Sequence, residues 1–149
     1  MPSLRFDGSL WCNVDIALRS MDQFYGRAIS SMEVTVIEWY ILRALYEKDG
    51  QHPSDLAHKV GRAPTSFTPL LDKLENKQFI RRQPDPADRR AVLIYLTDDG
   101  KALKRRVLAS ADEIERRVRQ AASDDEWQSF ERILSRLAAL NAEPELVRG

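Results

Sequence analysis

Apolar residues recur at three- and four-residue steps through most of the chain, and this spacing predicts a largely helical protein. A first apolar stripe predicts an amphipathic helix over residues 10–29. Residues 36–46 are apolar on all sides, which is typical of a buried central helix, and the pair Thr35 and Glu38 forms a capping box at its start. Two shorter stretches, residues 53–60 and 64–77, predict a pair of helices separated by a tight turn.

The hydrophobic period changes after residue 77. Residues 79–83 and 91–96 form two short segments around a loop rich in Pro and Asp, a pattern that predicts a β-hairpin with a polar tip. Thr97 then caps a helix that we expect to run unbroken to about residue 122. Ser123 and Glu126 form a second capping box before the last helix, and the tail after Asn141 is expected to be frayed.

The order of these elements indicates a mainly α fold with a small β-hairpin wing, that is, a winged helix-turn-helix. Gly61 supplies the turn between the paired helices. The second helix of such a pair enters the major groove of DNA with its N-terminal residues at the base edges. Here those residues include Thr65, Ser66 and Thr68, whose hydroxyl groups can contact bases or phosphates, and Lys73 lies farther along as a phosphate contact.

The first residue of this second helix is harder to predict than its apolar face. Ala63 offers no side-chain cap before Pro64, and Pro69 would remove no helical hydrogen bond if it fell in the first turn. A start at Thr65 or Ser66 is therefore an alternative to a start at Pro64.

Charge is unevenly distributed although the whole chain is neutral. The chain has 23 basic and 23 acidic side chains, but residues 53–106 carry 12 basic and 7 acidic groups, so that this part has a net charge of +5. The flanking parts, residues 1–52 and 107–149, carry −2 and −3. A basic middle can concentrate an anionic partner on one face, although charge-rich proteins often show such unevenness.

Several classes of protein are not expected. The chain has only six glycines and no nucleotide-binding glycine loop, nucleophile elbow or zinc-protease motif, so we expect neither catalysis nor a cofactor. Two histidines and one remote cysteine make a metal site improbable. With no long apolar run and no secretory signal, we expect a cytoplasmic protein without a membrane span.

Four segments carry a resemblance to a known family. They read PSDLA at residues 53–57, LLDKLE at 70–75, DPADRRA at 85–91 and LTDDG at 96–100. With these segments, residues 34–104 resemble the MarR family of winged-helix transcriptional regulators. The wing motif, Asp-x-x-Asp-Arg-Arg followed by a strand, is the most specific of the four.

The resemblance implies a homodimer that binds a pseudo-palindromic site on double-stranded DNA. Residues 1–33 would form an N-terminal dimerisation helix, residues 34–97 the DNA-binding lobe, and residues 98–149 the C-terminal dimerisation helices. By the same resemblance, Arg90 reaches the minor groove, Asp88 orients it and Arg89 contacts the backbone. A guanidinium suits a narrow, strongly negative minor groove on physical grounds as well.

Members of the family also respond to aromatic or phenolic effectors, which bind where the dimerisation helices meet the winged helix. The resemblance therefore implies a repressor that a small aromatic ligand releases from DNA. Candidate ligand contacts are Trp11, Arg19, Trp39 and Arg43, although ordinary core is the simpler interpretation of each aromatic side chain. Gln78 stands where the family usually has Gly, and a left-handed backbone there would cost about 1–2 kcal/mol.

Two alternatives stay open. One branch of the family senses organic hydroperoxides through a single cysteine near the start of the first helix, where this chain has Cys12, and residues 68–71 resemble that branch too. An inert cysteine is the simpler interpretation of the same residue. The second alternative is a winged helix used only for protein interaction, which would not need the adjacent arginines 89 and 90.

Overall fold

The computed structural model describes residue 4 and residues 8–142. The expectation of a frayed tail concerns residues that lie mostly outside these ranges. The chain divides into two compact units, one up to residue 111 and the other from residue 112 onwards. The predicted boundaries, between residues 33 and 34 and between residues 97 and 98, separate segments by their expected role rather than by compactness. They stay a prediction.

Seven helices and one hairpin make up the described residues. In chain order they are α1 (Leu10–Ile29), a 3₁₀ turn (Ser30–Met32), α2 (Val36–Glu47), α3 (Pro53–Lys59), α4 (Pro64–Asn76), β1 (Ile80–Pro84), β2 (Val92–Leu96), α5 (Asp98–Ala102), α6 (Lys104–Arg119), α7 (Asp124–Ala139) and a final 3₁₀ turn (Leu140–Ala142). The predicted fold class, mainly α with a hairpin wing, is confirmed.

Helix α2 forms the centre of the first unit, as its all-round apolar sequence predicts. Trp39, Leu42 and Leu45 are fully buried. The capping box at its start is confirmed, because the Glu38 N–H donates to Thr35 Oγ1 at 3.3 Å and the Thr35 N–H donates to Glu38 Oε2 at 2.9 Å. Further apolar core residues come from α3, α4 and both strands, among them Leu56, Phe67, Leu71, Leu74, Ile80 and Ile94.

The wing is an antiparallel hairpin with one further strand-like pairing. Ile80 pairs with Leu96 and Arg82 with Ile94 across the two strands. Gln51, just before α3, pairs with Ile94 from the other side through two backbone hydrogen bonds of 2.8 and 3.2 Å. The hairpin is therefore joined to the helices through its second strand.

The recognition helix predicted over residues 64–77 begins where expected, and the alternative start at Thr65 or Ser66 is wrong. Helix α4 begins at Pro64, with Ala63 at the N-cap and no side-chain cap. Proline suits this first position because its fixed φ is helical and the first N–H groups have no partner within a helix. Ser66 lies inside the first turn and its hydroxyl donates to the Ala63 carbonyl at 3.1 Å. Pro69 is consequently inside the helix rather than in its first turn.

The expected single helix from residue 98 to about 122 is also wrong, because it is interrupted at Leu103. The Tyr46 hydroxyl donates to the Gly100 carbonyl at 2.7 Å, which is the acceptor that residue 104 would use in a continuous helix. Burial raises the pKa of Tyr46 to about 12. A tertiary contact thus competes with the local helical bond. The Ser123–Glu126 capping box of α7 is confirmed.

Gln78, the second residue after the recognition helix, has a left-handed backbone with φ at +63°. We expect Gln78→Gly to raise the free energy of unfolding by up to about 1 kcal/mol, because Gly removes the Cβ clash of this conformation. Urea denaturation measures the change.

The matched control is Gln128→Gly, at an exposed position inside α7. This change should lower stability by about 1 kcal/mol, because Gly is a poor helix former. A loss of stability at both positions would contradict the explanation given for residue 78.

Candidate nucleic-acid interface

Helix α4 presents one polar stripe to solvent. Its exposed residues Thr65, Thr68, Asp72 and Asn76 follow one another at steps of three or four and so share a face. The opposite face packs into the core through Phe67, Leu71 and Leu74. The predicted contacts Ser66 and Lys73 are exposed as well. The positive φ of Gly61, +65°, makes the turn that leads into this helix.

The tip of the wing is ordered by backbone hydrogen bonds to aspartates. Asp88 Oδ1 accepts from the backbone N–H of Arg90 at 3.0 Å, and Asp85 Oδ1 accepts from that of Ala87 at 2.9 Å. Asp88 therefore acts on the main chain of Arg90 rather than on its guanidinium. The side chains of Arg89 and Arg90 are exposed and form no ion pair with any described residue.

His52 anchors the root of the wing, which the sequence analysis did not predict. The residue lies at the start of α3, and its Nδ1 is 3.2 Å from the Val92 carbonyl of β2. Its Nε2 lies 3.2 Å from Asp85 Oδ2 at the end of β1. One side chain thus joins α3 to both ends of the loop that carries the two arginines.

A second contact that the sequence analysis missed connects the wing to α4. The guanidinium of Arg82 in β1 contacts Asp72 Oδ1 at 2.7 Å and also pairs with Glu75. Strand alternation could have indicated this contact, because Arg82 shares a strand face with the buried Ile80. The helix partner could not be found in this way, because nothing local specifies it.

A groove of about 560 Å³ opens between α1, α2 and the turn before α4. Two charged residues, Asp22 and Arg62, lie on it, and neither has an ion pair with a described residue. The rest of the lining is mostly apolar: Leu18, Gly26, Thr35, Val36, Ile37, Tyr40 and Val60.

None of the four predicted ligand contacts lines this groove. Trp11 is 79% exposed, and Arg19 pairs with Asp15 at 3.0 Å on the surface of α1. Trp39 is buried and its indole N–H donates to Ser110 Oγ at 3.0 Å, while Arg43 stacks over the Trp39 ring at 4.7 Å. A role for these four in binding an effector stays a prediction.

Cys12 is a half-buried free thiol near the start of α1. Its redox role stays a prediction. Among the described residues, no three His, Cys, Asp or Glu side chains come together in the way that a metal ion needs. No helix in the described ranges has the length and apolar character to span a membrane.

A helix-turn-helix with a basic wing tip and an exposed polar recognition helix defines a winged-helix DNA-binding protein. The sequence model of the MarR family matches residues 34–92. The HTH-type transcriptional regulator YsmB of Bacillus subtilis, itself uncharacterised, is 30% identical over 113 residues, which are 75% of this chain and 77% of that protein. The chain belongs to the MarR family, and it is a transcriptional regulator rather than an enzyme.

Solved structures share the fold at lower identity. The transcriptional repressor CouR, bound to a 23-mer DNA duplex, has a TM-score of 0.79 and 21% identity, with 93% of this chain and 99% of that chain covered. Bordetella bronchiseptica BpsR, whose DNA binding is regulated by 6-hydroxynicotinic acid, has a TM-score of 0.81 and 20% identity, with coverage of 92% and 98%.

The contacts of His52 lead to a prediction about the stability of the wing root. We expect His52→Ala to speed up amide hydrogen exchange in residues 85–92, because the change removes contacts to Val92 and Asp85. Exchange followed by mass spectrometry gives the rate. His58→Ala, at an exposed position of the same helix, is the control and should leave the exchange unchanged. Equal protection in the two variants would show that His52 does not hold the wing.

Proposed function

We propose that this protein is a homodimeric repressor that binds a pseudo-palindromic operator and is released by a small aromatic effector. The observation that carries this proposal is that one compact unit presents both an exposed polar recognition helix and a wing tip with two unpaired arginines. A protein-interaction module would need neither feature.

Each half of the dimer would read DNA with two elements. Thr65, Ser66 and Thr68 of α4 would lie at base edges in the major groove, with Lys73 on a phosphate. Arg90 would enter the neighbouring minor groove, where its charge is attracted most strongly, and Arg89 would contact the backbone. Two-fold symmetry then places the half-sites roughly 34–36 Å apart.

Exposed apolar side chains support the dimer. On α1, Leu10, Trp11 and Val14 are exposed, and on α7 none of the residues is buried. Phe130 and Ile133 belong to the apolar stripe of α7 and are about half exposed. Apolar surface of this extent on two helices is typical of an interface. A second copy of the chain offers the same surface in return, which is how a two-fold interface is covered.

The groove beside α2 is the proposed effector site. Its walls of Leu18, Val36 and Val60 suit an aromatic ring, Tyr40 adds an aromatic face, and the guanidinium of Arg62 can pair with a carboxylate. Arg62 and Val60 lie directly before the recognition helix. A ligand that prefers one arrangement of this turn shifts the protein away from the DNA-competent state, and a preference of about 1.4 kcal/mol changes occupancy tenfold.

The wing arginine gives the sharpest test of DNA binding. Arg90→Ala should weaken operator binding by about 1–3 kcal/mol per site, which is the range for a specific contact. A fluorescence-anisotropy titration with a duplex selected by the protein from random sequences measures the change. Arg116→Ala removes the same charge from the surface of α6 and should leave affinity nearly unchanged. If the two variants bind equally well, the wing does not take part in binding.

A substitution on α7 tests whether the protein is a dimer. Ile133→Glu places a charge on the exposed apolar stripe and should convert the dimer to single chains, because a buried unpaired carboxylate is strongly disfavoured. Light scattering gives the mass. The control Gln128→Glu adds the same charge to an exposed polar position of the same helix and should stay dimeric. A wild-type protein that scatters as a single chain would refute the dimer.

A further inference from the structure

The recognition helix has an unfavourable charge for a DNA-binding element. Within α4 the charged side chains are Asp72, Lys73 and Glu75, so the helix carries a net charge of −1. Asp72 lies on the exposed stripe together with Thr65 and Thr68. A carboxylate on this stripe is repelled by the phosphates of a duplex, and nothing in α4 itself compensates both acids.

The next lysine along the chain is not available to compensate them. Lys77, directly after α4, donates to the buried carboxylate of Glu38 at 2.6 Å and to the Glu33 carbonyl at 2.9 Å. Its charge is therefore directed into the start of α2 rather than towards the exposed stripe.

The compensating charge comes from the wing. Arg82 Nη2 donates to Asp72 Oδ1 at 2.7 Å, and Nη1 donates to Glu75 Oε2. The two acids are three residues apart and therefore share one face of the helix, where a single fork can reach both. The side chain of Arg82 is only 25% exposed, so that less solvent screens the pair than at a fully exposed site.

The neighbouring arginine has a different role. Arg81 points to the other face of β1, where its guanidinium stacks over the Tyr95 ring at 5.2 Å. Of the two adjacent arginines in this strand, only Arg82 forms an ion pair with the recognition helix.

We propose that Arg82 is a positioning residue for DNA binding, which acts by offsetting the net negative charge that Asp72 and Glu75 give α4, so that α4 can approach the phosphates. A guanidinium suits this role because it is permanently charged and its planar fork donates to two carboxylates at once. This inference rests on the proposed insertion of α4 into the major groove.

The test compares variants by their affinity for a duplex that the wild-type protein has selected from random sequences. Arg82→Gln leaves the net charge of −1 on α4 without its compensating arginine and should weaken binding at least about tenfold at low salt, or about 1.4 kcal/mol. The difference from wild type should shrink as salt rises, because the repulsion is screened. Arg82→Lys keeps the charge and should bind nearly as tightly as wild type.

The decisive experiment asks whether removal of the two acids restores the affinity that is lost without Arg82. The triple variant D72N/E75Q/R82Q has neither the acids nor the arginine, and it should regain most of the affinity lost in Arg82→Gln. A purely structural role of Arg82 would not be rescued, because the contact between β1 and α4 stays broken. A triple variant as weak as Arg82→Gln therefore overturns the proposal. Circular dichroism melting checks that each variant folds. If Arg82→Gln does not fold, the double variant D72N/E75Q, in which Arg82 is intact, tests the same charge effect. We expect this double variant to bind more tightly than wild type.

A separate variant shows which of the two proposals has failed. Lys73→Ala should weaken binding and reduce its salt dependence if α4 lies against phosphates. If Lys73→Ala has no effect, the proposed insertion of α4 is itself wrong. If Lys73→Ala weakens binding while Arg82→Gln does not, only the inference about Arg82 is wrong.

Discussion

The pairing of Gln51 with the wing is the constraint on which the DNA-binding unit depends. Its backbone exchanges two hydrogen bonds with Ile94, and its side-chain amide donates to the carbonyls of Ala44 and Lys48 at the end of α2. The residue is 5% exposed, so each unmade bond would leave a buried polar group. Gly50, with φ at +73°, turns the chain into this position. One buried residue thus joins the central helix, the start of α3 and the hairpin.

Side-chain contacts at the edges of this unit fix the DNA-binding elements against one another. Lys77 joins the end of the recognition helix to Glu38, whose carboxylate is 1% exposed, and loss of the lysine would leave that charge buried and unpaired. Arg82 joins the same helix to the wing, and His52 joins the wing root to α3. At the wing tip, the side chains of Arg89 and Arg90 are exposed and form no ion pair with a described residue.

The sequence predicted most of the elements because their signals are local. A capping box needs only residues three apart, so Thr35 and Ser123 marked the starts of α2 and α7 correctly. Turn chemistry and alternation placed the hairpin within a residue or two, and Gly61 marked the turn of the helix pair. The resemblance drew attention to Gln78, because the family usually has Gly there, and the structure shows the left-handed backbone that Gly would favour.

By itself, then, the sequence determined the order of helices and strands, the exposed face of the recognition helix and the arginines of the wing, because each depends on residues close together in the chain. Only the tertiary structure decided which distant side chains meet. It set the break at Leu103 through Tyr46, the partners of Arg82 and His52, and the groove on which Arg62 lies. Such contacts join residues far apart in the chain, and their energy depends on packing geometry that no periodic pattern encodes.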